Sequence, residues 1–72
     1  MVNLDDPWAS ARNRLQAVVM PKLHKYGNAI GRCHKTNPHA AEVVRLYEML
    51  HRGFDPMTLH LLEQALDRYE RS

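Results

Sequence analysis

The stretch NPHAAEVVRLYEMLHRGFDPMTLHLLEQALDRYE, residues 37–70, decides the fold class. It holds two helix-start signals, Asn37-Pro38 and Asp55-Pro56. In each, a short side chain can accept a hydrogen bond from the free amides of a first helical turn. The proline that follows has φ already set for a helix and no N–H to leave unused there. After Asn37, the residues Ala40, Val43, Val44, Tyr47 and Leu50 recur at spacings of three and four. After Asp55, so do Leu59, Leu62, Ala65, Leu66 and Tyr69. That is helical periodicity, and no alternating strand pattern competes with it. Gly53 follows Arg52, where a C′ glycine would end the first of these helices. The short link Gly53-Phe54-Asp55 then predicts an antiparallel helical hairpin over 38–52 and 56–70.

Towards the N-terminus, Asp6-Pro7 is a third start signal, followed by Trp8, Ala11, Leu15, Val18 and Val19 at helical spacing. Pro21 interrupts the run. An interior proline removes a backbone hydrogen bond and crowds the preceding turn, at a cost of about 3 kcal/mol. The apolar rhythm resumes as Leu23, Tyr26, Ile30 and Cys33. The sequence therefore predicts helices over 7–20 and 21–34, with a kink or break at Pro21. Gly27 and Gly31 weaken the second piece. Their spacing of four would let another helix approach closely, but the simpler expectation is that one of them ends or frays the helix. The expected fold is all-α, a small bundle of three to four helices in a single domain over 1–72.

With 44% hydrophobic and 25% charged residues, the chain is neither collagen-like nor low in complexity. At 72 residues it is marginally stable alone. Chains of this size commonly add disulfides, a metal, tight helical packing or an oligomeric partner. Cys33 is the single cysteine, so no intrachain disulfide forms, and a reducing compartment is the simplest setting. The acidic start at Asp5 and Asp6 lacks the basic and apolar regions of a signal peptide. Beyond it, the longest apolar run, Ala17 to Met20, falls far short of the ~20 residues of a membrane span. The expected location is cytoplasmic, with no membrane contact.

The net charge of +2 conceals an uneven distribution. Residues 7–41 hold Arg12, Arg14, Lys22, Lys25, Arg32 and Lys35 and no carboxylate. Residues 42–72 hold four arginines against six carboxylates. On a helical wheel Lys25, Asn28, Arg32 and Lys35, with His24, lie away from the apolar stripe. They form a basic face suited to phosphates or to an acidic protein surface. Leu46, Met49, Met57 and Leu61 fall outside the hairpin's apolar stripes and predict a second apolar surface, for a partner or a second copy. The last helix carries Glu63, Asp67 and Glu70, which phosphates would repel, so any nucleic acid contact belongs to the basic first half.

Five histidines raise the question of a metal. Cys33, His34 and His39 are the densest group, but adjacent Cys33 and His34 point 100° apart on a helix, and a structural zinc needs four converging ligands. Glu48 and His51 have Glu-x-x-His spacing, whereas His60 and Glu63 have the reverse order, so a di-iron set is incomplete. No metal site and no cofactor are expected. Ser10, Thr36, Thr58 and Ser72 sit in no nucleophile motif, and no Gly-rich phosphate loop is present. The sequence thus predicts no catalytic residues and no small-molecule substrate. It reads as a small non-enzymatic regulatory or inhibitory protein, expected to be a homodimer. It would act by protein–protein contact with a larger protein through the basic face and the apolar hairpin surface. The alternative is a nucleic-acid-binding protein using the basic N-terminal half.

Overall fold

A computed structural model describes residues 7–71 of the chain. The protein is all-α. Helix α1 (Pro7–Arg14) passes through a π-helical stretch (Leu15–Val19) into α2 (Met20–Cys33), and α3 (Pro38–Arg52) and α4 (Pro56–Arg71) follow. No strand occurs among the described residues.

The helix starts follow from their caps. Asn37 is extended, and its Oδ1 accepts from the His39 amide at 2.9 Å and the Ala40 amide at 3.4 Å. Asp55 Oδ2 accepts from the Thr58 amide at 3.0 Å and from its hydroxyl at 3.2 Å. Each bond satisfies a donor that a helix start otherwise leaves free. The expected cap at Asp6 lies outside the described residues. Gly53 does end α3, its amide donating to the Met49 carbonyl at 3.2 Å. Its φ of −162° is ordinary extended backbone, so the left-handed turn expected of a C′ glycine is not used.

No break occurs at Pro21: helical backbone is continuous from Pro7 to Cys33. The reason lies just upstream. The Met20 amide bonds the Leu15 carbonyl, five residues back, in a widened turn. That turn shifts the hydrogen-bond register by one residue and places Pro21 at the start of a fresh α-helical segment, where a missing N–H costs little. Neither glycine ends α2, since both lie inside it. They do not mark a close helix approach either, because a Cβ added at Gly27 or Gly31 would meet nothing within 4 Å.

The long helix packs with α1 and the π stretch against α4, and with α2 against α3, while α3 and α4 share the largest interface. Val19, Val43, Leu59, Leu62 and Leu66, each under 2% exposed, form the centre of the core. Ala11, Ile30, Ala40, Leu46, Leu50 and Ala65 complete it. The molecule measures 46 × 20 × 17 Å, because the long helix outreaches the two shorter helices of the hairpin.

One side of α3 differs from the sequence expectation. Leu46 is only 2% exposed and belongs to the core, while Tyr47 is 41% exposed. Both residues are apolar and 100° apart, so the sequence admits two core faces. The large contact with α4 selects the Ala40, Val43, Leu46, Leu50 face. Leu46→Ala should accordingly cost about 2–5 kcal/mol, as buried leucine truncations do. Met57→Ala, at a side chain 64% exposed, should change stability by less than about 0.5 kcal/mol in the same urea titration. Replacing Pro21 by alanine should stabilise the chain by much less than the ~3 kcal/mol of an ordinary interior proline. A gain of that full size in urea denaturation would show that the π stretch does not accommodate it.

Candidate functional site

The basic half and the acidic half of the sequence meet within the chain. Arg14 grips Glu63 with both arms of its guanidinium, Nε donating to Oε2 at 2.9 Å and Nη2 to Oε1 at 2.5 Å. Lys22 Nζ lies 2.7 Å from Glu70 Oε1, and the Tyr26 hydroxyl donates to Glu70 Oε2 at 2.8 Å. Tyr26 also meets Tyr69 edge to face, with ring centroids 5.7 Å apart. These contacts tie the long helix to α4 by side chains whose partners lie more than forty residues away in sequence. Their charges respond. The Lys22 ammonium and the Tyr26 hydroxyl hold the Glu70 carboxyl below its usual range, and Glu70 in turn raises Lys22. Glu63 raises Arg14, and burial, then the neighbouring Cys33, pushes the Tyr69 phenol up.

What α4 does not neutralise is the outer face of α2. Lys25, Asn28 and Arg32 are exposed on that face, and Lys35 is exposed in the turn beyond it. Among the described residues none of these three cations forms an ion pair. Lys25 Nζ lies 5.3 Å from the Tyr26 ring centroid, as a cation over a π face. All four residues of the predicted charged set are therefore exposed, three of them on α2 and Lys35 in the turn that follows it.

Of the predicted apolar set, Met49, Met57 and Leu61 are exposed, at 42%, 64% and 41%, and Leu46 is not available. Its burial reduces the hairpin surface to these three side chains. A different apolar feature, not read from the sequence, lies on the α3 side of α2. Between α2 and α3 runs a groove of about 500 Å³. Met20, Leu23, Gly27, Ile30 and Gly31 line it from one side, and Val43, Val44 and Tyr47 from the other. His24 and Glu48 stand on its opposite walls. Beyond Glu48 a smaller hollow continues along α3 past Tyr47, His51 and Arg52. There the exposed His51 ring stacks on Tyr47 with centroids 6.3 Å apart. The groove follows from two sequence features that only the structure combines, the turning of Tyr47 outward and the absence of side chains at Gly27 and Gly31.

Cys33 is half-buried against Tyr69, at the end of α2. Among the described residues no three His, Cys, Asp or Glu side chains converge as a metal-holding group. No described helix is long and apolar enough to cross a membrane. No family model matches the sequence, and neither a curated protein nor a solved structure shows significant similarity to it.

The Glu70 contacts carry a pH signature. Because the folded carboxyl is held below its ordinary value of 4.5, its contribution is complete above that pH and is lost as pH falls through the lowered value. Lys22, raised above 10.5, contributes below that pH and loses its contribution as pH rises through the raised value. Thermal melts of Glu70→Gln and the natural chain should differ most near neutral pH, and the two curves should converge below pH 4.5. A difference that stays constant into acid would contradict the assignment.

Proposed function

We propose that this chain is a small non-enzymatic regulatory or inhibitory protein that acts by binding another protein through its α2 side. The observation that carries this reading is that one helix bears both the exposed Lys25, Asn28 and Arg32, with Lys35 in the turn beyond, and, on its α3 side, one wall of an apolar groove. Open apolar surface and cations outside any ion pair are the two ingredients of a recognition surface, with burial supplying affinity and charge supplying register. Met49, Met57 and Leu61 on the hairpin offer a second, smaller apolar contact, for the same partner or for a second copy of the chain. A reducing, cytoplasmic setting suits the lone cysteine.

Nucleic acid binding is the weaker reading. Two of the six cations between residues 7 and 41, Arg14 and Lys22, are already paired with α4 carboxylates, and those carboxylates would face a phosphate backbone approaching that flank. A duplex would also leave the apolar groove unfilled.

Tagged protein recovered from its native host, beside the Lys25→Glu/Arg32→Glu variant, tests the proposal. The expected result is a protein enriched on the natural chain and lost on the charge reversal, with the melting temperature of the variant unchanged within a few degrees. Equal enrichment on both chains would overturn it. So would recovery of nucleic acid alone, with binding to generic duplex that falls steeply with salt.

A further inference from the structure

We infer that the groove between α2 and α3 is closed by the same groove of a second copy, the two chains pairing about a two-fold axis that runs along it. The inference goes beyond the binding of another protein. It gives the α3 side of α2 to the chain's own dimer and leaves the cations of the outer face to that protein.

A two-fold contact uses one patch twice, so the patch must complement itself. The charges of this groove do. His24 stands on the α2 wall and Glu48 on the α3 wall. Both are exposed, and among the described residues neither forms an ion pair or a hydrogen bond. An axis along the groove lays α2 of one chain over α3 of the other. His24 of each copy is then brought to Glu48 of the other, and the contact forms twice. An imidazole N–H donates to a carboxylate whether the ring is neutral or charged. An axis across the groove would instead lay α2 on α2 and α3 on α3, which pairs neither group.

The shapes of the two walls match in the same sense. The α2 wall is low at Gly27 and Gly31, where an added Cβ would meet nothing within 4 Å. Neither glycine serves the single chain, since both lie inside α2, where glycine weakens a helix, and no described residue has a positive φ. The α3 wall is high at Tyr47, which is 41% exposed beside a half-buried Val44. Under the axis along the groove, the tyrosine of one copy lies over the glycine wall of the other. The rest of the lining of this trough of about 500 Å³ is apolar, so closing it removes apolar surface from water on both chains. A chain of 72 residues thereby gains a second core. A second copy carries both halves of this complement by construction.

The test follows the mass of the full chain by sedimentation equilibrium, and its amide chemical shifts, over about a hundredfold range of concentration. The expected result is a reversible monomer–dimer equilibrium in which the amides of Gly27, Gly31, Val44 and Tyr47 move as the dimer forms. Glu48→Lys and His24→Glu should each weaken pairing about tenfold or more without loss of helix content in circular dichroism. Mixed in equal amounts, the two variants should pair with each other, because the mixed dimer keeps one natural contact and reverses the sense of the other. Gly31→Gln should occupy the place of the incoming ring and weaken pairing too, while favouring the helix. Four outcomes overturn the inference: a monomer at every concentration, a dimer whose moving amides are those of Met49, Met57 and Leu61, single variants that pair as tightly as the natural chain, or a mixture that pairs no better than either variant alone. Each reading can fail by itself. A strictly monomeric chain that still captures a host protein sinks only the groove dimer, and a dimer that captures none sinks only the regulatory reading.

Discussion

The structure depends on α4 being buried on two flanks at once. Leu59, Leu62, Ala65 and Leu66 are each 1% exposed or less, a row at helical spacing wedged between α3 and the long helix. A chain of 72 residues has one core, and this row is its centre. Two consequences follow. The edge of α4 that meets the long helix carries Glu63 and Glu70, so Arg14 and Lys22 are drawn onto it. The other flank turns α3 until Leu46 points at α4, which leaves Tyr47 facing out and α2 meeting α3 only across a shallow trough. The groove is thus a by-product of the tightest packing in the molecule.

That dependence explains what could be read in the sequence. The all-α class was legible because its signals are local: Asn37 and Asp55 cap their own helices, and apolar residues recur at helical spacing along each. The face of α3 was not legible. Val43-Val44 and Leu46-Tyr47 are two adjacent apolar pairs, so helical period alone allows either member of each to face inward, and only contact with α4 distinguishes them. At Pro21 the irregularity was legible but its form, a π stretch just upstream with no break, was not. Proline chemistry is local, but the remedy is a π turn spread over Leu15–Val19, and no residue type announces one. The basic face was legible as a stripe, since Lys25, Asn28 and Arg32 share one side of a helix by spacing alone. Which cations remain after folding was not, because the bridges to Glu63 and Glu70 span the length of the sequence.

The bridges also change the meaning of the charge asymmetry. A basic half joined to an acidic half suggests two copies pairing head to tail, or one chain seeking an acidic partner. Folding satisfies part of that attraction internally, through pairs whose basic ends are an exposed Arg14 and a half-buried Lys22, which salt and solvent weaken. The surplus that remains is concentrated on the outer face of α2.

Surplus charge and open apolar volume are therefore supplied by the same helix, on different faces. Positions 25, 28 and 32 turn outward, while 27 and 31 turn towards α3, as the 100° step of the helix requires. Lys25 and Arg32 accordingly stand roughly 100–160° around the helix from the two glycines, so a partner that meets both features has to wrap around α2. Neither feature alone would define a partner, since solvated basic faces and shallow troughs are common on small helical proteins. Their presence on two faces of one helix calls for contacts that reach around α2, apolar where they meet the α3 side and acidic where they meet the outer side.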